Sequence, residues 1–369
     1  MLLGPHTLAP GVLLAPMEAV TDLPFRTVCE ELGAVLTFTE FLSADALTRG
    51  ATKAINRMWP SLGGRKFAVQ IFGREPGVLA RAAEMAIDVG ASVLDINMGC
   101  PAKRVTAGLC GSALMREPQL AEDIVRTVRK AVPKEIPVTV KHRLGWDDSS
   151  INAVEFAQRL VDAGAAMITV HGRTRAQGFS GEVRRGPIAA VRAALPREIP
   201  VVANGDVKTI ADWQRMKEET GCDAVMVGRG SMGNPWLLRS LAAIAAGKPD
   251  PGPPTLAERA TVWQRHARLV IEHSVERMHV HELRKTLAWY SRGLRGGADL
   301  RTRAGTSKDP KVLMEMGETF FAELVAAGDD EARAHLTRPA DPIAKSLARH
   351  ERRSGGHAEA DEPCAPVSA

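Results

Sequence analysis

The chain has 369 residues, of which 45% are apolar and 25% charged, enough for one large domain of about 250 residues and a smaller one. No stretch approaches about 18 uninterrupted apolar residues and the N-terminus lacks signal-peptide features, which excludes a membrane span and predicts a cytoplasmic protein. Five cysteines without paired spacing exclude a disulfide framework and a zinc site and predict reduced thiols. The net charge of +5 is compatible with a polyanionic partner but too modest to require one.

Short apolar runs alternate with amphipathic stretches along the first 245 residues or so. The predicted strands are Val12–Ala15, Leu36–Thr39, Phe67–Ile71, Val93–Asn97, Val138–Lys141, Met167–His171, Val201–Asn204 and Ala224–Val227. The intervening segments predicted as helices include Pro76–Val89, Glu117–Val132, Asn152–Ala163 and Lys208–Thr220. The number and spacing of these units predict an α/β fold of the (β/α)₈ TIM-barrel type, with a doubly wound sheet as the alternative.

A Pro/Gly-rich segment, residues 247–254, follows the last of these units and marks a domain boundary. We predict a barrel domain over residues 1–247, a small all-helical domain over 255–348 and a disordered tail over 349–369. We also expect few contacts that are essential to folding to cross the linker.

The fourth predicted strand leads into a loop that carries a thiol. The apolar run 91–96 stops at Asn97, and Gly99 and Pro101 flank Cys100. A cysteine in apolar surroundings is usually an inert core residue. The loop at the carboxyl end of a barrel strand, however, is where α/β folds build their active sites, so Asn97 and Cys100 are candidate site residues.

Polar residues follow nearly every other predicted strand as well. Lys141 and His171 end two of the strands, Asn204–Asp206 end a third, and Gly228–Gly230 end the last. Glycine-rich turns after the seventh and eighth strands leave backbone N–H groups free. Together with Arg229 they predict a phosphate-binding cradle at the place where barrels commonly have one.

Residues 228–233 also fit the G-x-G-x-x-G pattern of dinucleotide-binding folds. The helix predicted after this motif leads into the Pro-rich linker and not into a second parallel strand with an acidic residue at its end. We therefore favour phosphate binding in a barrel over a dinucleotide fold. The remaining alternative is that these glycines only permit a tight turn.

Five segments together resemble the tRNA-dihydrouridine synthases, most closely the bacterial B-type group, in consistent order over about residues 8–325. They are Ala15–Glu18, Asp95–Lys103, Val170–Thr174, Val201–Asp206 and Val227–Gly230. The resemblance implies an FMN-containing barrel, a helical tRNA-binding domain and reduction of uridine in tRNA with NADPH, or NADH, as reductant.

The resemblance also implies individual roles. Cys100 is similar to the family's catalytic cysteine, and Asn97 and Arg173 are expected to bind the substrate. The implied FMN contacts are Pro16, Met17, Glu18, Gln70, Lys141, Asn204, Gly205, Asp206, Gly228 and Arg229. His171 is a further candidate for the flavin phosphate or the pyrimidine carbonyls. Two residues depart from expectation: His142 stands where an apolar residue is expected, and Cys110 is a second thiol.

The implied chemistry suits these residue types. Reduction of the C5–C6 bond of uracil needs a hydride at C6, which reduced FMN supplies, and a proton at C5, which a thiol such as Cys100 can donate. Lys141 would stabilise negative charge on the reduced flavin. With no second nucleotide-binding fold, we expect NADPH to visit the same flavin face as the uridine.

The helical segment supplies the argument for RNA. Between His281 and Lys311 eight Lys/Arg residues stand against three acids, and Trp289 and Tyr290 lie among them. Basic side chains bind phosphates and aromatic rings can stack on exposed bases, so we assign Arg284, Lys285 and Arg292 to tRNA. Two alternatives stay open: a flavin oxidoreductase for free pyrimidines, of the dihydroorotate or dihydropyrimidine dehydrogenase type, and a non-catalytic RNA-binding protein. We expect a monomer and no metal.

Overall fold

The computed structural model describes residues 1–9 and 11–328. The predicted tail, 349–369, and the last part of the predicted helical domain, 329–348, lie outside these residues. The strands are β1 (Leu2–Leu3), β2 (His6–Thr7), β3 (Val12–Leu14), β4 (Ala34–Phe38), β5 (Leu42–Ser43), β6 (Phe67–Phe72), β7 (Val93–Met98), β8 (Val138–His142), β9 (Met167–His171), β10 (Val201–Asn204) and β11 (Ala224–Val227).

Eight of these strands form a closed parallel barrel. They follow one another in the order β3, β4, β6, β7, β8, β9, β10 and β11, and β11 pairs in parallel with β3 to close the ring. The short β5 adds to β6, and β1 and β2 form a separate antiparallel hairpin. The predicted barrel is confirmed, and the closure between β11 and β3 rules out the doubly wound alternative.

Helices cover the outside of the barrel. Those within residues 1–247 are α1 (Leu23–Glu31), α2 (Ala44–Thr48), α3 (Thr52–Asn56), α4 (Pro76–Asp88), α5 (Lys103–Thr106), α6 (Pro118–Ala131), α7 (Ala153–Asp162), α8 (Arg185–Ala194), α9 (Ile210–Thr220) and α10 (Trp236–Ala245). Local sequence explains several of their ends: proline opens α4 and α6, and a reciprocal cap between Thr209 and Asp212 opens α9.

Successive side chains of each strand point alternately into the barrel and toward the helices, so the protein has two hydrophobic cores. Inside the barrel, side chains such as Leu13, Phe38 and Met226 pack with Leu3 and Leu8 of the N-terminal hairpin. The other face of each strand packs against the helices. Because successive side chains point to opposite faces, Thr139 and Lys141 lie on the inner face of β8, whereas His142 lies on its outer face.

Between the linker and residue 328, where the described part ends, the chain forms four α-helices, α11 (Leu256–His273), α12 (His279–Tyr290), α13 (Gly297–Thr306) and α14 (Pro310–Ala327). They pack directly on the barrel at α1. Phe25 of α1 stacks on His266 and meets Trp289 edge-on, and Trp236 of α10 contacts Tyr290. The expectation that few contacts cross the linker is therefore wrong, because aromatic side chains from both sides share one buried core. Among the described residues, no helix is long and apolar enough to cross a membrane.

Candidate active site

The innermost polar side chains at the barrel mouth form a hydrogen-bonded chain across three neighbouring strands. Gln70 on β6 donates to Asp95 on β7 at 2.6 Å, and Thr139 on β8 donates to the other oxygen of Asp95. The side-chain amide of Asn97 donates to the side-chain oxygen of Gln70 at 2.9 Å. All four are buried, so this chain gives the floor of the mouth a fixed polar arrangement. Sequence analysis found Gln70 and Asn97 but missed Asp95, although a charge inside the apolar strand β7 was a signal.

Asn97 also fixes the loop that carries the thiol. Its side-chain oxygen accepts hydrogen bonds from the N–H groups of Gly99 and Cys100, at 3.0 and 2.9 Å. On the other side of the loop, the hydroxyl of Ser112 donates to the carbonyl of Cys100 at 2.8 Å. Cys100 itself is partly exposed, whereas Cys110 is fully buried and directs its thiol at the carbonyl of Gly108. Of this pair, Cys100 is the thiol that solvent can reach.

Lys141 stands beside Asn97, its neighbour in the pairing of β7 and β8. Burial and the nearby Arg143 lower the pKa of Lys141 to about 8, so it keeps its positive charge at neutral pH. Burial raises the pKa of Asp95 to about 6, against its two hydrogen bonds and the charge of Lys141. The mouth thus holds the charged side chain of Lys141, which is partly buried, and the fully buried carboxylate of Asp95.

Arg143 is a second functional candidate, after Asp95, that was not predicted from the sequence. Its guanidinium donates to the carbonyls of Gly99, Thr174 and Gly178 at 2.7, 2.9 and 2.8 Å. It therefore ties the thiol loop to the loop after β9. Arg143 follows Lys141 by two residues and so continues on the same face of the chain, which is a pattern that could have identified it.

His171 ends β9 next to Asn204 of β10. Burial lowers its pKa well below the usual value, and the charges of Arg143, Lys141, Arg173 and Arg229 lower it further. The imidazole is therefore neutral, and it can accept or donate a hydrogen bond without adding charge to the mouth. The side chain of Asn204 donates to the carbonyl of Met226 at 2.9 Å and joins β10 to β11.

Asp206 holds two arginines together at the ends of the last strands. It accepts from Arg173, which is buried, and from Arg229, at 2.7 Å. Burial works to raise the pKa of Asp206, but the hydrogen bond and charge of Arg173 and the charge of Arg229 lower it overall. Nη1 of Arg173 is buried and has no hydrogen-bond partner among the described residues.

Glycines occupy the turns on either side of Asp206 and Arg229. Gly205 has φ +134°, and a Cβ there would lie 2.7 Å from Val183, while a Cβ at Gly230 would lie 2.2 Å from the carbonyl of Val207. A Cβ at Gly228 would meet Met17. Gly205 and Gly230 are thus required by close packing, because a side chain at either position would overlap neighbouring protein atoms.

The loop after β3 completes the rim. The N–H of Met17 donates to the hydroxyl of Thr21 at 3.0 Å, and Glu18 forms an ion pair with Arg104 of α5. Pro16, Met17 and Glu18 are each partly exposed at this rim. Among the described residues, no cluster of His, Cys, Asp or Glu is arranged to hold a metal ion.

The dihydrouridine synthase family model matches residues 13–324, which include every side chain described at the mouth. The chain belongs to the dihydrouridine synthase family. It is 41% identical over 321 residues to a probable tRNA-dihydrouridine synthase of Rhodobacter capsulatus, covering 87% of this chain and 97% of that one. It is 39% identical over 327 residues to tRNA-dihydrouridine synthase B of Xanthomonas axonopodis pv. citri, covering 88% and 97%.

Solved structures agree on the fold. Histamine dehydrogenase from Rhizobium sp. 4-9 superposes with a TM-score of 0.51 at 12% identity, covering 75% of this chain and 51% of that one. Membership of the dihydrouridine synthase family makes this chain an enzyme of a flavin-dependent oxidoreductase family that acts on tRNA.

The residues present fit a flavin phosphate. The buried Nη1 of Arg173 has no hydrogen-bond partner among the described residues, Arg229 binds the same carboxylate of Asp206, and the adjacent turns carry Gly205, Gly228 and Gly230. Guanidinium groups and free backbone N–H groups are the usual ligands of a phosphate in such a cradle.

The three residues predicted to bind tRNA, Arg284, Lys285 and Arg292, differ from one another in their exposure and in their protein contacts. Arg284 donates to the carbonyl of Ser307, Arg292 is partly exposed, and Lys285 is only 14% exposed and engaged with protein groups. The expectation that Trp289 and Tyr290 stack on RNA bases is wrong, because both are buried in the interface with the barrel. Between His281 and Lys311, the exposed cations are Arg295, Arg303, Lys308 and Lys311.

Proposed function

We propose that this protein reduces the C5–C6 double bond of uridine in tRNA to 5,6-dihydrouridine, with FMN as the bound cofactor and NADPH, or NADH, as the reductant. The observation behind this proposal is the position of Cys100. It is the partly exposed thiol of a loop held by Asn97 and Arg143, at the mouth of a barrel whose family acts on tRNA.

The phosphate of the cofactor would lie between Arg173 and Arg229 at the glycine turns, and the ring system would lie over the chain of Gln70 and Asn97. FMN, when bound, supplies the hydride that reaches C6 of the uracil. Cys100 donates the proton to C5 from the other side of the base. The loop contacts of Asn97 hold the thiol in place for this transfer.

Lys141 provides a positive charge at the mouth, which stabilises negative charge on the reduced cofactor. The neutral His171 offers a hydrogen bond to the cofactor phosphate or to a uracil carbonyl without repelling the arginines around it. Arg143 and Lys141 together make the mouth electropositive, which favours the approach of a polyanion.

For tRNA we propose phosphate contacts by Arg284 and Arg292 and by the exposed cations of α13 and its neighbouring loops, Arg295, Arg303 and Lys308. A tRNA substrate also favours the cytoplasm as the site of action. We expect a monomer, because one chain supplies every residue invoked.

The deciding experiment incubates the purified protein with NADPH and either tRNA lacking dihydrouridine or free uridine, and measures dihydrouridine by mass spectrometry. The proposal expects a yellow protein that releases FMN on denaturation and reduces only the tRNA. Equal activity on free uridine would favour a free-pyrimidine reductase. A protein without flavin would favour a non-catalytic RNA-binding role.

A further inference from the structure

Ala19 has an unusual backbone conformation at the rim of the site. It follows Glu18 in the loop between β3 and α1, and its φ is +55°. A residue with a Cβ is disfavoured in this left-handed region, so the surroundings must hold it in place. The turn matters because Pro16, Met17 and Glu18, which directly precede it, are the proposed cofactor contacts.

Two charged side chains hold the peptide groups on either side of Ala19. The carboxylate of Glu40 accepts from the N–H of Ala19 at 2.5 Å, and Nζ of Lys285 donates to the carbonyl of Ala19 at 2.9 Å. Glu40 lies two residues beyond β4 of the barrel and is 5% exposed, whereas Lys285 lies on α12, beyond the linker. The turn is thus fixed from the barrel on one side and from the C-terminal helices on the other.

Lys285 is itself held in one position. It forms an ion pair with Glu282 one turn earlier on α12, its ammonium lies 3.6 Å from Asp22, and it stands over the ring of Trp289 at 5.2 Å. Asp22 is the N-cap of α1 and accepts from the N–H of Phe25. Burial works against the charged ammonium, but the carboxylates of Glu282 and Asp22 outweigh it and raise the pKa of Lys285.

We propose that Lys285 is a positioning residue of the cofactor site: from the helical region it holds the strained turn at Ala19 and thereby places the Pro16–Glu18 segment against the flavin. In this role its ammonium is used within the protein, in place of the phosphate contact predicted from sequence. The C-terminal helices then form part of the cofactor site. The inference rests on the proposed function, since it assumes that FMN binds at the mouth.

The test compares Lys285→Met with Arg265→Met in the full-length protein. Arg265 also joins the helices to the barrel, through an exposed ion pair with Glu31, but does not contact the turn. For each purified apoprotein, the affinity for FMN is measured by fluorescence titration and the visible spectrum of the bound flavin is recorded. We expect Lys285→Met to weaken FMN binding about tenfold or more and to shift the spectrum. Arg265→Met should leave both within about twofold of wild type.

A second pair of variants separates positioning from loss of stability. The double variant Glu282→Gln, Lys285→Met removes the buried carboxylate that Lys285→Met would leave unpaired. If the single variant does not fold, FMN affinity and the flavin spectrum are measured on this double variant instead. Adding Ala19→Gly should restore part of the FMN affinity, because glycine adopts φ +55° without the Cβ penalty.

The two hypotheses fail in different ways. A wild-type protein that binds no FMN overturns the proposed function. A wild-type protein that binds FMN, alongside Lys285 variants with unchanged affinity and spectrum, overturns the positioning role alone. The same holds if Ala19→Gly restores nothing to variants that have lost affinity.

Discussion

The side-chain oxygen of Asn97 accepts the N–H of Cys100 at 2.9 Å, so the last side chain on the inner face of β7 fixes the loop that follows the strand. The same oxygen accepts the N–H of Gly99, and the amide nitrogen of Asn97 is tied to Gln70. Although Cys100 lies on a loop, these hydrogen bonds hold its backbone in a fixed position relative to strand β7 of the barrel.

Asn97→Ala should lower the rate of tRNA reduction by roughly 10- to 100-fold, because a small displacement of the proton donor is costly. Reduction of the bound flavin by NADPH does not need the thiol and should fall much less, through loss of the contact between Asn97 and Gln70 alone. Stopped-flow absorbance separates the two steps. The matched control is Asn152→Ala, which removes an asparagine bound to the carbonyl of Met115 outside the mouth. Equal losses in both half-reactions would contradict the role in thiol placement.

Cys100→Ala should leave FMN binding and NADPH oxidation nearly intact and reduce dihydrouridine formation by roughly 10²–10⁴-fold, because it removes the proton donor. Cys110→Ala is the control, and its buried thiol predicts little effect on activity. Mass spectrometry of digested tRNA measures the product. Loss of activity in Cys110→Ala alone would show that the catalytic thiol has been misassigned.

Arg229→Ala should weaken FMN binding by about 1.5–3 kcal/mol, through loss of a charge-assisted contact to the phosphate. Titration of the apoprotein with FMN measures the change. The control is Arg215→Ala, on the exposed face of α9, which removes an arginine away from the proposed phosphate site and should leave FMN affinity unchanged. If riboflavin, which has no phosphate, loses affinity as much as FMN does, the guanidinium is not a phosphate ligand.

Reversal of Arg295, Arg303 and Lys308 to glutamate should abolish most tRNA binding without changing flavin reduction by NADPH. All three are exposed, so their reversal leaves the interface with the barrel intact. For wild type, about four phosphate contacts predict a slope of log K against log[salt] near −3 to −4. Lys130, Lys134 and Arg197 are exposed cations outside the helical region and form the matched control triple. Similar losses from both triples would point to non-specific attraction.

His142→Leu should make the protein less sensitive to acid. His142 packs on Phe156 of α7, and burial lowers its pKa to about 4. Since an unfolded histidine titrates near 6.5, the unfolded chain binds the extra proton between these values, and stability is lost as pH falls from about 6.5 toward 4. At pH 5 the contribution of His142 to this loss is about 2 kcal/mol, and the leucine variant lacks that contribution but keeps those of His171 and His266. Urea unfolding at pH 7.5 and 5 measures it; equal losses in both proteins would contradict the assignment.

The barrel could be predicted from sequence because its signals are local. Met167–His171, Val201–Asn204 and Ala224–Val227 are short apolar runs whose bounds the structure reproduces, and Gly99 and Pro101 place Cys100 on a loop wherever the strand lies. His142 shows the limit of such signals. The sequence shows only that a histidine stands where an apolar residue is expected, and the structure adds that it lies on the outer face of β8 and packs on Phe156 of α7.

The sequence by itself determined the eight strands of the barrel, the fold class, the thiol loop and the glycine turns, since alternation, glycine and proline act within a few residues of chain. Only the tertiary structure decided how the basic helical region is used. Trp289 and Tyr290 are buried against the barrel, and Lys285 binds the carbonyl of Ala19, 266 residues away. Composition identifies a charged or aromatic side chain, but its partner is chosen by packing between distant segments, and a buried charge is stable only where such a partner exists.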